Sequence, residues 1–176
     1  MKNKNVLFIT YAAAIAALYT VLTCWAGALN LASGVIQVRF SEALTILAAF
    51  TPAAIPGLYI GCLLSNILTG CYMQDIIFGS LATLIGAVGT YLLTHTRKDG
   101  KWKFIPGKRS MFLAPLPPVL SNTIIVPFIL AYVYGYEGGV PFFMATVGIG
   151  EILSCYVLGL PLYSALLVRK DQIFKA

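Results

Sequence analysis

The sequence predicts an all-α integral membrane protein of six transmembrane helices, one domain over residues 1–176, with both termini in the cytoplasm. Three observations predict it. Of 176 residues, 59% are hydrophobic and only 10% charged, against roughly 45–50% and 25% in soluble domains. The mean hydropathy of +0.86 is more apolar surface than so short a soluble fold can bury. Eleven of the twelve Lys and Arg residues lie at Lys2 and Lys4, within 97–109, or within 169–175. Short basic flanks of this kind face the cytoplasm under the positive-inside rule. A large extramembrane enzyme domain has no room, no alternation of period two suggests a β-barrel, and basic clusters pinned beside apolar spans do not suggest nucleic-acid binding.

The first span, 6–29, has a basic start like that of a signal peptide. It runs past ~20 apolar residues without a cleavage site, so it is expected to be retained. The block 42–69 is interrupted by Pro52, Pro56 and Gly57. At ~1.5 Å per residue it would be ~42 Å long, too much for one straight crossing and little for two. Further spans are expected at 76–94, 111–134 and 141–168. The fifth contains Pro115, Pro117, Pro118 and Pro127, which predicts a kinked or partly unwound helix.

Charge parity decides the doubtful block. A single crossing would put the six basic residues of 97–109 outside. Two short helices with a turn at 51–57 keep both termini and that loop inside and leave Arg39 as the outer basic residue. Glu42, Asp75, Glu137 and Glu151 then lie at or near the outer half, while Asp99 and Asp171 stay among cytoplasmic cations. Carboxylates gather where an external solute would arrive.

Glu151 is the sharpest intramembrane feature, because a charge about ten residues into an apolar span faces a cavity or a partner. Gly148, Ser154, Cys155 and Gly159 share its helix face. Arg39 and Glu42, three apart, are equally readable as an ion pair capping a span or as contacts for a ligand. Asp75, at the start of a span, suits a helix N-terminus as well as a binding role. Asn66 and Asn122 are amides that need buried partners. Trp25, Tyr72, Tyr132, Tyr134 and Tyr136 suit an interfacial aromatic belt, from which one or two can also stack on a flat ligand. In the first span, Ala12/Ala16 and Ala13/Ala17 are small-xxx-small pairs, and spacing leaves open whether they meet this chain or another subunit.

Four cysteines, Cys24, Cys62, Cys71 and Cys155, show no metal-type spacing, and thiols in or near the membrane are expected. There is no P-loop, HExxH or GxSxG, so neither ATP hydrolysis nor an enzyme activity is expected, and no cofactor or metal is called for. A carrier or solute-binding membrane subunit remains.

Two stretches, VIQVRFSEALTILAAFTPAAIPGLYIGCLLSN (35–66) and CYMQDIIFGSLATLIGA (71–87), resemble the QueT family. These are substrate-binding (S) components of energy-coupling-factor transporters for queuosine precursors, and the resemblance covers nearly the whole chain. It implies a six-helix S-component fold in a bacterial cell membrane with an occluded pocket near the outer face. It also implies partners: a transmembrane coupling protein and two cytoplasmic ATPases. The family's alanine motif, which contacts the coupling protein, matches Ala12, Ala13, Ala16 and Ala17.

The ligand the family implies is a 7-deazaguanine, such as the 7-aminomethyl or 7-cyano compound or queuine. Its N1–H and exocyclic amine lie side by side and suit a carboxylate; Glu42, Glu151 and Asp75 are the candidates, and a second acid suits a cationic aminomethyl group. Arg39, Asn66 or Asn122 can donate to O6, and Trp25 or Tyr72 can stack on the ring. The alternatives are an S component for another vitamin or nucleobase, or a small structural or assembly protein of the membrane.

Overall fold

A computed structural model describes residues 4–31 and 38–174. Its helices are α1 (Lys4–Ala28), a 3₁₀ helix (Phe40–Ala49), α2 (Ala54–Leu68), α3 (Met73–Thr94), α4 (Lys108–Leu113), α5 (Leu116–Tyr132), α6 (Val140–Glu151) and α7 (Gly159–Ile173). A π-helical segment, Ile152–Leu158, joins α6 to α7 without a break. Among the described residues, four stretches are long and apolar enough to cross a membrane: Lys4–Ala28, Met73–Thr94, Lys108–Tyr132 and Val140–Ile173. Phe40–Ala49 and Ala54–Leu68 are shorter apolar helices. Large apolar side chains such as Ile9, Val21, Leu68, Ile77, Ile124 and Val157 are exposed, the arrangement expected of surfaces facing lipid.

Small residues bring the long helices together. A Cβ added to Gly61 would sit 2.7 Å from Tyr19 Cβ and 2.9 Å from the Ala16 carbonyl oxygen. At Gly57 it would sit 2.8 Å from the Ala12 carbonyl oxygen. Only glycine lets α2 lie on α1 this closely. The α3–α5 contact works the same way, with Gly86 and Gly89 under Pro118 and Pro117. Those prolines cost α5 little, because the first turn of a helix has no intrahelical partner for its N–H groups.

The 3₁₀ helix lies inside this frame. Ser41 to Ala49 are all buried, and α1, α2, α3, α7 and the π segment pack around it. Ten residues of 3₁₀ helix, at a rise of ~2.0 Å each, span only ~20 Å. The sequence-expected turn at 51–57 is narrower. It occupies 50–53, and Pro56 falls in the first turn of α2, where its missing N–H is harmless.

The expected basic loop is a hairpin of two antiparallel strands, β1 (His95–Lys98) and β2 (Lys101–Phe104), with Lys98 opposite Lys101. Its two-residue turn is Asp99–Gly100, both with positive φ (53° and 73°), the type I′ geometry that Asp-Gly favours. The hairpin meets the chain's two ends. Phe50 packs on Phe104, Tyr163 and Phe174, Lys170 lies over the Phe104 ring, and Tyr11 packs on Phe174.

A polar cavity above a buried carboxyl pair

At the end of the bundle opposite the hairpin, α1, α2, α3 and α5 splay around a cavity of about 490 Å³. That volume suits a small organic molecule. Gly70 (φ 72°) ends α2 and Gly135 (φ 63°) follows α5, so the chain doubles back tightly at both rims. The second of these turns stacks Tyr134 on Tyr136, centroids 5.6 Å apart and rings inclined by 16°. Both tyrosines line the cavity with Thr23, Arg39, Asn66 and Asp75.

Asp75 is the most constrained of these. In the first turn of α3, it is only 4% exposed. The Tyr134 hydroxyl donates to its Oδ2 at 2.9 Å, and the Asn66 amide donates to its backbone carbonyl at 3.4 Å. Burial first, and then the Asp75 carboxylate, push the Tyr134 phenol pKa upward, so it stays a donor. The other Asp75 oxygen, Oδ1, is buried with no hydrogen-bond partner. Gly79, one turn on, makes this placement possible, since a Cβ there would lie 2.9 Å from Oδ1.

Thr23 connects the cavity to a second, deeper group. It donates to Ser41 at 2.7 Å, next to Glu42 in the 3₁₀ helix, and Tyr19, one turn back on α1, donates to Glu42 Oε1. Across from it, Asn122 on α5 donates to Glu151 Oε1 at 2.9 Å, and the Cys155 thiol lies 3.4 Å from Glu151 Oε2. Carboxyl oxygens of Glu42 and Glu151 and the Cys155 sulfur lie within 4.8 Å of one another, all buried. Thr45 donates to the Glu42 carbonyl at 2.6 Å.

The twelve sequence-selected residues therefore separate. Arg39, Asn66 and Asp75 line the cavity; Glu42, Asn122 and Glu151 form the layer beneath. Trp25 and Tyr72 are outside the cavity lining: Trp25 is 56% exposed and packs on Phe40, and Tyr72 is 57% exposed and meets Tyr134 edge-on. The lining aromatics are instead Tyr134 and Tyr136, which spacing assigned to the interfacial belt. Of the alanines, Ala16 is buried under Gly61 and Ala12 lies under Gly57, while Ala13 and Ala17 are exposed on the opposite face. Ala12 and Ala16 thus meet this chain's own α2, and Ala13 and Ala17 do not. Gly79 and Thr23 were missed, because a lone glycine or threonine in a helix carries no pattern of its own.

A family model described as "QueT transporter" matches residues 9–167. The Queuosine precursor transporter QueT of Lactococcus lactis subsp. cremoris (strain MG1363) is 31% identical over 160 residues, covering 89% of this chain and 90% of that protein. No solved structure matches. With a match that spans both the cavity and the carboxyl layer, this multi-pass membrane protein belongs to the QueT transporter family.

Proposed function

We propose that this protein is the substrate-binding component of an energy-coupling-factor importer, and that it takes up a queuosine precursor of the 7-deazaguanine class. The observation that carries the reading is the unpartnered Oδ1 of Asp75 in the wall of a cavity of ligand size. A buried carboxylate oxygen without a donor is costly. The adjacent N1–H and exocyclic amine of a deazaguanine supply charge-assisted donors to it. Arg39 and Asn66 are on the same wall for the ring carbonyl, and the Tyr134–Tyr136 pair offers aromatic faces for a flat base. The similarity to the Lactococcus queuosine precursor transporter supports the substrate class.

In this reading the chain makes six crossings, the two short helices serving as the second and third. The hairpin and both chain ends occupy the cytoplasmic side, where Arg97, Lys98, Lys101 and Lys103 satisfy the positive-inside rule. The cavity then opens outward. Ala13 and Ala17, on the exposed face of α1, are the surface for the coupling protein, which in turn meets two ATPases.

The test is a calorimetric titration of detergent-purified chain with the aminomethyl, cyano and queuine compounds, with guanine as control. Saturable binding of one of them is expected. Asp75→Asn should weaken it by about 10–100-fold, the worth of a hydrogen bond to a charged group. No binding by a folded sample removes the substrate class, and unchanged affinity in the variant removes Asp75 from the site.

A further inference from the structure

We propose that Glu42 and Glu151 share one proton, forming a buried acid pair beneath the cavity that carries a single negative charge. The geometry makes two ionised groups untenable. Both side chains are at least nine-tenths buried, and their oxygens fall within the 4.8 Å cluster they form with Cys155. Two like charges at that separation, away from water, repel strongly and cannot both be solvated.

The hydrogen-bond inventory points the same way. Glu42 Oε1 accepts from the Tyr19 phenol, Glu151 Oε1 from the Asn122 amide, and Glu151 Oε2 from the Cys155 thiol. Each of these donors is neutral. Glu42 Oε2, fully buried, has no hydrogen-bond partner of ordinary geometry among the described residues. With a second carboxyl group in the same cluster, that oxygen is satisfied when it carries or receives a proton.

The surrounding elements do not supply the missing charge. From α1 the facing titratable group is Tyr19; from α2 it is Cys62, itself accepting from Thr83; from the π segment it is Cys155. Arg39, at the head of the 3₁₀ helix, interacts with both carboxyls. Among the described residues it is the positive side chain that does so, and its strongest charge coupling is to Asp75. One arginine therefore stands against three acids.

The backbone around the pair is built for this. Glu42 lies on a 3₁₀ helix, and Glu151 is the last residue before the π segment that packs on it. Both deviations from α-helix occur where the two carboxyls meet, and π segments are frequent at functional sites. With one shared proton, the pair, Asp75 and Arg39 sum to a single negative charge. On the reading of the cavity as a ligand site, that complements a singly charged cation, such as an alkylammonium group.

Infrared spectroscopy of the substrate-free, detergent-purified chain tests the proton without reference to transport or ligand. At about pH 7, where ordinary carboxyls are ionised, wild type should show the stretch of a protonated acid that shifts in heavy water. Its intensity should equal one carboxyl per chain, and Asp75→Asn, as control, should leave it unchanged. Glu42→Gln and Glu151→Gln should each abolish it, because the remaining acid no longer has a partner to share with. No band in wild type, including a band that appears only after a bound metal ion is dialysed away, overturns the proposal. So does a band of two carboxyls, or one that survives either single variant. The wild-type intensity alone decides if a variant fails to fold.

Discussion

The seam between α1 and α2 and the seam between the 3₁₀ helix and the π segment are built on opposite terms. In the first, two regular helices approach until backbone meets backbone, with Gly57 and Gly61 under Ala12 and Ala16. Polar crossings are few and weak, such as the long Thr20–Gly61 contact of 3.3 Å. In the second, neither partner is an α-helix, and around it gather two carboxyls, a thiol, a threonine and, from α5, an asparagine amide, one carboxyl being the last residue of α6. Regular helices satisfy their own backbone and can be glued by shape alone. An irregular helix brings polar groups into the interior and needs side chains to meet them. The difference teaches that stability and chemistry have been assigned to different seams.

The largest expected effect breaks the first seam. Gly61→Leu must displace the Ala16 backbone and the Tyr19 stem, so a loss of about 3 kcal/mol or failure to fold is expected, at the upper end for overpacking. Thermal unfolding in detergent reads it. Ala17→Leu, on the exposed face of the same helix, should stay within about 0.5 kcal/mol of wild type. Gly159, which starts α7 at the edge of the second seam, has ordinary room: a Cβ there meets Ile46 Cδ1 at 3.7 Å and the Ala43 carbonyl at 3.8 Å. Gly159→Ala should therefore be neutral or stabilising by about 0.5 kcal/mol. Equal damage at Gly61 and Gly159 would erase the distinction between the seams.

A smaller effect sharpens the polar side. Tyr134→Phe removes the hydroxyl on Asp75 Oδ2 and leaves that carboxylate with neither oxygen hydrogen-bonded by a side chain. Stability should fall by about 1–2 kcal/mol, and affinity for a deazaguanine by about 10-fold if the carboxylate loses its orientation. Unchanged affinity would show that Asp75 is held by its burial and by Gly79 rather than by the tyrosine.

The first seam was legible in the sequence and the second was not, for a physical reason. Small-xxx-small spacing in α1 is a local pattern with one geometric meaning, although both alanine pairs match it and only packing shows which faces inward. The polar partners of Glu151 were partly legible too, since Cys155 is one turn along the same helix. The i,i+3 spacing leaves Glu42 readable as an ion-pair partner of Arg39 or as a ligand contact, and carries no sign of the hydrogen bond from Tyr19, 23 residues away. A 3₁₀ helix ten residues long defies the propensity of a segment as good as SEALTILAA for an α-helix; tertiary enclosure overrides it. The cavity tyrosines were hidden because lining and belt positions share one composition. The hairpin has a local signal in Asp99-Gly100, which a reading of 97–109 as a basic loop alone does not use.

The smallest effect lies away from both seams and is a control on them. His95 begins β1, half-buried, with its ring stacked on Tyr91 at 4.1 Å and Nδ1 donating to the Tyr91 carbonyl at 2.9 Å. Burial lowers its pKa below the usual 6.5, and the bond to that carbonyl opposes the shift only in part. The folded hairpin therefore holds a proton less tightly than the unfolded chain does. Its stabilising share is complete above about pH 6.5, declines as pH falls through that value, and levels off below the folded pKa. Since the ring keeps contact with solvent, the loss should appear as local fraying. Hydrogen exchange at the Ile105 amide, which donates to the Thr94 carbonyl at 2.8 Å, should quicken modestly in mild acid once corrected for intrinsic rates. His95→Gln should remove the pH response and leave the α1–α2 seam untouched. Greater protection in acid would mean that the Tyr91 carbonyl, not burial, governs the imidazole.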